Sequence, residues 1–349
     1  MKINHFSCFF LALAIVFFGG CTNTTQSTGS QQNNPSKIVV GFSLASLLED
    51  RWVRDRDIFM AQAQQEGIEV IVKNANMDPD LQYQQVLEML DQGIDVLLLT
   101  PSDMDKNVLC VEAAKKKGVP VISYDRIVRN ANVDVFLSFD NQMVGKLMAE
   151  CLIAKAPTGG YVFINGSPDD YNSTMIKQGY MSILQSKINA HEIEVLDDTQ
   201  IQGWVRDSAY NFATETINYN GNRIDAVICA NDALAGGFID ALNESKVSKV
   251  ILIVGMDADL VACRRVVQGQ QLMTVYKPIK NLVAKAVEIC IQLANNQIIN
   301  GNGKINDGTF NVPYVAIDVI AVTQDNVEDT VIKDGFHLKE EIYSKPDSE

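Results

Sequence analysis

Two stretches decide the fold: "GIDVLLLTPSD", Gly93–Asp103, and "RIDAVICANDA", Arg223–Ala233. Each is an apolar run that ends in polar residues. A helical pattern follows each, and then a second apolar run that ends in aspartate. That second run is "KKGVPVISYDR" (Lys116–Arg126) in the first case and "SKVILIVGMDAD" (Ser248–Asp259) in the other. The runs are continuous rather than alternating, as strands covered on both faces require. Strands of that kind separated by helices build parallel sheets. Because the unit occurs twice, the chain is expected to form two similar Rossmann-like α/β lobes, each a parallel sheet flanked by helices.

The same alternation extends outward in both directions. Further strand candidates include "KIVVGFS", "IEVIVKNA", "VDVFLSFD", "GGYVFINGS" and "QLMTVYK"; helical patterns include "RDIFMAQAQQEG" and "NLVAKAVEICIQLANNQ". A length of 349 residues suits two domains, and 47% hydrophobic with 21% charged residues is a globular composition. The formal net charge is −14, which would repel a phosphate backbone, so nucleic acid is not expected as a partner. The densest basic cluster, Lys115–Lys117, ends a helical pattern just before Gly118 and reads as a solvated last turn.

The N-terminus reads as an address rather than as fold. "MKIN" precedes the uncharged run "FSCFFLALAIVFFGG", too short to span a membrane and suited to a signal peptide over residues 1–20. "FGGC", Phe18–Cys21, resembles a bacterial lipoprotein cleavage box, with Phe18 where leucine is usual, and makes Cys21 the expected lipidation site. Residues 21–36 are polar and low in complexity, a composition suited to a flexible tether. The expected product is an exported protein anchored to a membrane through lipid.

Five further cysteines, Cys110, Cys151, Cys229, Cys263 and Cys290, are scattered without a CxxC pair. They read best as small buried hydrophobes, ahead of one or two disulfides and of a metal site. Beyond the signal segment only His191 and His337 are present, which argues against a histidine-based catalytic or zinc site. No metal and no cofactor is expected.

In open α/β sheets ligands lie beyond the carboxyl ends of the strands. The residues there are Arg51 and Trp52, Asp125 and Arg126, Asp170 and Asn172, Trp204, Asn231, Asp257, and Lys277. Carboxylates only accept hydrogen bonds, Arg and Lys only donate, and Asn does both. A sugar hydroxyl is donor and acceptor at once, so neighbouring hydroxyls suit such a mixed set, while indoles can cover apolar C–H faces. An unpaired buried hydroxyl costs on the order of 1–3 kcal/mol, which makes the set stereoselective. Taken singly, strand-end Asp and Asn are also turn and helix-cap residues, and either tryptophan could be core. Asp140-Asn141 reads as a cap for the following helix, and Asp259 fits a cap as well as a contact. The set as a whole is hard to explain by caps alone.

At "RWVRDRDIF", "VISYDR", "NGSPDDYN", "ANDALAGG", "GMDADL" and "DTVIKDGFH" the chain resembles the ribose/xylose group of periplasmic sugar-binding proteins, and within it the xylose-type branch. The similarity runs from about Lys37 to His337. It implies a type I periplasmic binding fold of two lobes joined by three crossing segments and closing like a hinge on the ligand. By this resemblance residues 37–139 with about 279–306 form the first lobe, and 140–278 with about 307–340 the second, with crossings near Asp140, Pro278 and Asp307. It also implies that the ten strand-end residues hold a pentose, D-xylose or a related monosaccharide, with Trp52 and Trp204 on its faces. The implied partner is an ABC permease, or alternatively a membrane sensor kinase or chemoreceptor; a monomer is expected.

An enzyme is the rival class. No GxGxxG or GxxxxGK[ST] phosphate cradle is present. Asp257 and Asp259 could in principle serve as a glycosidase pair, but the repeated lobes and the arginine-rich set fit binding better. A repressor of the same fold would carry a DNA-binding helix-turn-helix where this chain carries an export signal.

Overall fold

The computed structural model describes residues 37–48 and 50–344; the expected signal peptide, lipid site and tether lie outside the described residues. The elements run β1 (Val39–Leu44), α1 (Asp50–Gln65), β2 (Glu69–Asn74), α2 (Pro79–Asp91), β3 (Val96–Leu99), α3 (Val108–Lys116), β4 (Val121–Tyr124) and β5 (Val135–Phe139). They continue with α4 (Asn141–Lys155), β6 (Gly159–Asn165), α5 (Tyr171–Asn189), β7 (Ile193–Gln200), α6 (Arg206–Asn220), β8 (Ile224–Cys229), α7 (Asp232–Glu244) and β9 (Leu252–Met256). Last come α8 (Leu260–Val267), β10 (Met273–Tyr276), α9 (Ile279–Ala294), β11 (Gly303–Asn306), β12 (Asn311–Ile317), β13 (Ile320–Val322) and α10 (Lys339–Tyr343).

Two sheets result. The first has the order β11-β12-β5-β4-β3-β1-β2 and the second β13-β10-β9-β8-β6-β7. Pairing is parallel apart from β11 with β12 and β10 with β13, each at a sheet edge. The continuous apolar runs are explained by the two faces. In β3, Val96 and Leu98 pack with Phe59 of α1 and Val283 of α9, whereas Leu97 and Leu99 pack with Met89 of α2 and Val111 of α3. In β6, Val162 and Ile164 face α6 and α7 while Tyr161 and Phe163 face α4 and α5. A period of two therefore buries every residue of a central strand, at about 1.5–3 kcal/mol for each large side chain.

The chain changes sheets three times. The first passage is at Asp140, between β5 and α4, since α4 packs on α5 of the second lobe. There two glycines let backbones touch: a Cβ on Gly145 would lie 2.0 Å from the Ile176 carbonyl, and one on Gly179 2.0 Å from that of Gln142. The second passage, between Tyr276 and Ile279, includes Pro278. The third differs from the expectation near Asp307. Residues 303–317 form a hairpin whose second strand, β12, inserts beside β5, with Tyr314 opposite Phe136 and Ile317 opposite Phe139. The crossing therefore falls between Ile317 and Ile320. Asp307 instead ties the hairpin to the first lobe, accepting the N–H groups of Ala131 and Asn132 at 3.0 and 2.8 Å. The five cysteines among the described residues are free thiols, four of them buried, and burial pushes that of Cys110 up to about 11.

Candidate functional site

The ten strand-end residues line one cavity of about 710 Å³. From the first lobe come Arg51 and Trp52 on α1 and Asp125-Arg126 directly after β4. The second supplies Asp170 and Asn172 at the start of α5, Trp204 before α6, Asn231 before α7, Asp257 after β9 and Lys277 after β10. Backbone strain collects here. Asp125, Trp204 and Asp257 have φ of 63°, 60° and 102°, and Ala258 beside Asp257 has 55°. Residues without glycine's freedom hold such angles at a cost of about 1–3 kcal/mol each, where the surroundings over-determine them.

On the first-lobe side charges are tied to one another. Arg51 pairs with Asp125 and reaches Asp55, one helical turn on, at 3.6 Å. Asp55 also accepts the Tyr124 hydroxyl. Burial pushes the Asp55 carboxyl up to about 6, and Arg51 only partly opposes this. For Asp125 burial acts upward too, but Arg51, Lys277 and Arg126 outweigh it and the carboxyl ends below its ordinary value. Trp52 is 2% exposed, with the guanidinium of Arg51 4.5 Å and that of Arg126 5.3 Å from its ring centre. It borders the cavity and carries two cations against its ring.

The second-lobe side is built from helix starts. Asp170 accepts the Asn172 N–H at 3.0 Å as the cap of α5, and its other oxygen lies 3.2 Å from Arg126 across the cleft. Burial raises its carboxyl, with Arg126 pulling the other way. Asn231 caps α7 by accepting the Leu234 N–H at 2.9 Å. Lys277 sits 2.7 Å from Asp257. Asn172 also crosses the cleft, donating to the Asp125 carbonyl at 3.2 Å. Half-buried Trp204 rests against Gly166, where a Cβ would come within 2.0 Å of the indole.

Strand ends alone miss part of the lining. Asp140 is the cap of α4, accepting the Met143 N–H at 2.9 Å, but its neighbour Asn141 enters the cavity and donates to Asn172 at 2.9 Å. Arg54, Arg206 and Arg265 lie on helices, and Phe336, His337 and Glu341 come from the C-terminal segment. "DTVIKDGFH" was the one sequence signal for that segment. With them the lining holds six Arg or Lys and six Asp or Glu residues. In a chain of charge −14 the cavity is thus balanced, which suits a neutral polar ligand rather than an ion.

Two lobes around a cleft of mixed polar groups and indoles define the class as a solute-binding protein. The pattern of the periplasmic binding protein domain family matches residues 40–298, and the chain belongs to that family, whose members bind solutes and are not enzymes. It is 40% identical to the D-xylose-binding periplasmic protein of Haemophilus influenzae, over 90% of this chain and 95% of that one. It is 38% identical to the protein of the same name from Escherichia coli, over 88% and 93%. A solved structure of a carbohydrate transporter solute-binding protein from Chloroflexus aurantiacus, in complex with D-glucose, superposes with a TM-score of 0.81 at 27% identity, covering 87% of this chain and 98% of that one.

Proposed function

We propose that the protein captures D-xylose, or a closely related monosaccharide, outside the cytoplasm and delivers it to an ABC permease while tethered through lipid on Cys21. The observation that carries this reading is the convergence of ten residues, chosen by their place at strand ends, on one charge-balanced cavity. The two relatives named for D-xylose support the choice of sugar. In this reading Arg51, Arg126 and Lys277 donate to hydroxyls, Asp125, Asp170 and Asp257 accept from them, and Asn172 and Asn231 do both. Trp204 covers a C–H face, and Trp52 backs the arginines on the opposite wall. Contacts from both lobes favour the closed form, and only that differential affinity shifts the equilibrium.

The test is calorimetric titration of the fragment beginning at Lys37 with D-xylose, D-ribose, L-arabinose and D-glucose. Xylose-selective binding that Trp204→Ala and Asp257→Ala both abolish is the expected result. No binding to any of the four sinks the assignment.

A further inference from the structure

The C-terminal segment contributes no residue to the ten, yet it touches both lobes at the cavity. Phe336 packs against the first-lobe core around Trp52 and also against the cluster of Ala258, Tyr276 and Val331 in the second. Arg54 of α1 donates to the Phe336 carbonyl at 3.2 Å, and its guanidinium lies 4.9 Å from the centre of the Phe336 ring. Phe336 in turn contacts the rings of Tyr276 and His337, at 4.9 and 4.5 Å between centres. His337 is buried, and its Nε2 donates to the Ala258 carbonyl at 2.8 Å. Ala258 is the strained residue next to Asp257, and Tyr276 directly precedes Lys277, the partner of Asp257.

We propose that Phe336 and His337 are positioning residues for Asp257, through which the Arg54 side of the first lobe sets the geometry of the ligand loop in the second. The inference deepens the sugar-binding reading and rests on it. The chain of contact is short: Arg54 to Phe336, Phe336 to His337, His337 to the Ala258 carbonyl. The loop is held at other points too: the Asp257 N–H donates to the Val275 carbonyl at 2.9 Å, and the Cys263 thiol donates to the same Ala258 carbonyl at 3.4 Å. The Ala258 N–H donates to Thr274 at 3.1 Å, and the Asp259 N–H donates to Asp232 at 3.1 Å. Of these bonds, the one from His337 continues through Phe336 to Arg54 of the first lobe. A first-lobe movement that shifts Phe336 changes that bond, and with it the aim of the Asp257 carboxylate.

The experiment combines binding with a ligand-free readout. Arg54 is exposed, so Arg54→Gln is expected to fold; His337→Gln is the second variant. Each is paired with Asp257→Asn, and the affinity for D-xylose is measured for singles and doubles. Coupling of this kind predicts roughly tenfold weaker binding for Arg54→Gln alone and almost no further loss in the Asp257→Asn background. In the sugar-free protein, the amides of Ala258 and Asp259 are expected to exchange faster in both variants. An unchanged affinity, or losses that simply add, overturns the proposal. Should the wild-type protein bind none of the sugars, the sugar assignment falls, and amide exchange still decides the coupling: protection unchanged in both variants overturns it.

Discussion

The two sides of the cleft solve one problem differently. Each must present charged groups to a ligand without leaving them stranded in its absence. The first lobe ties its charges to each other: Arg51 to Asp125 and Asp55, with Tyr124 behind. The second ties Asp170 and Asn231 to backbone, as caps on α5 and α7, and pairs Asp257 with a side chain, Lys277. Side-chain pairs on the first side hold one another, so removing one member strands the rest. Caps on the second side answer to a helix, so binding and folding share one side chain but can be separated by a replacement that still caps.

The sharpest break is Arg51→Met. It leaves Asp125 and Asp55 buried without their cation, and breaking a buried pair from one side costs about 3–5 kcal/mol. Urea denaturation is expected to show that loss, together with loss of sugar binding. The Arg51→Met/Asp125→Asn double variant should recover stability but not binding. If the single variant unfolds at the wild-type urea concentration, the first lobe is not held by its own charges.

On the second side the comparable break is steric. Gly166→Ala places a methyl where the Trp204 indole lies. Overpacking of this kind costs about 1–3 kcal/mol, and here the mobile partner is the ring that walls the cavity. The expected result is sugar binding weakened roughly tenfold or more, with a changed tryptophan emission. Unchanged affinity would mean that Trp204 does not shape the site.

A pH series sharpens the contrast. The Asp55 carboxyl is raised from 3.8 to about 6, so between those values the folded chain holds a proton that the unfolded chain has released. Its contribution to stability is therefore present below about pH 4 and lost as pH rises through about 6, on the order of 3 kcal/mol. Asp125 has the opposite sign: its shift is downward, so its contribution is present above 3.8 and lost as pH falls through its lower folded value. The windows do not overlap. Asp55→Asn should reduce the slope of the stability curve between pH 4 and 6, leaving the part of the same sign that the raised Asp170 carboxyl supplies, and leave the acid limb in place. A slope that the substitution leaves unchanged would assign it to another group.

How much of this was legible in the sequence follows from where each residue sits. Strand-end residues could be found because a continuous apolar run marks a buried parallel strand, and its end marks the cleft. All ten reach the cavity for that reason. Asn141 was hidden by a correct reading of its neighbour, since Asp140 does cap α4 and a cap was explanation enough for the pair. Arg54, Arg206 and Arg265 were hidden because helical arginines usually face water. The third crossing was misplaced because β12 pairs with β5, far away in sequence, and no local pattern of "NVPYVAI" names its neighbour. Trp52 was legible as a cavity residue from its charged flanks, but not that one of them, Arg51, lies over its ring.

The smallest expected effect is the most discriminating. Asp170 is both the cap of α5 and the partner of Arg126. Asparagine caps about as well as aspartate, whereas alanine does not cap, a difference of about 1 kcal/mol. Asp170→Asn should therefore keep most of the thermal stability while losing the ion pair across the cleft. Asp170→Ala should lose both. Both variants should weaken sugar binding alike, because either removes the carboxylate from the site. Equal stabilities for the two would mean that the cap is unimportant. Equal affinity of Asp170→Asn and wild type would mean that the residue is structural, and that the second lobe offers Arg126 nothing a ligand needs. The pair of substitutions thus asks of one side chain what the comparison asks of the whole cleft: whether the groups that hold the second lobe's helices are the same groups that hold the ligand.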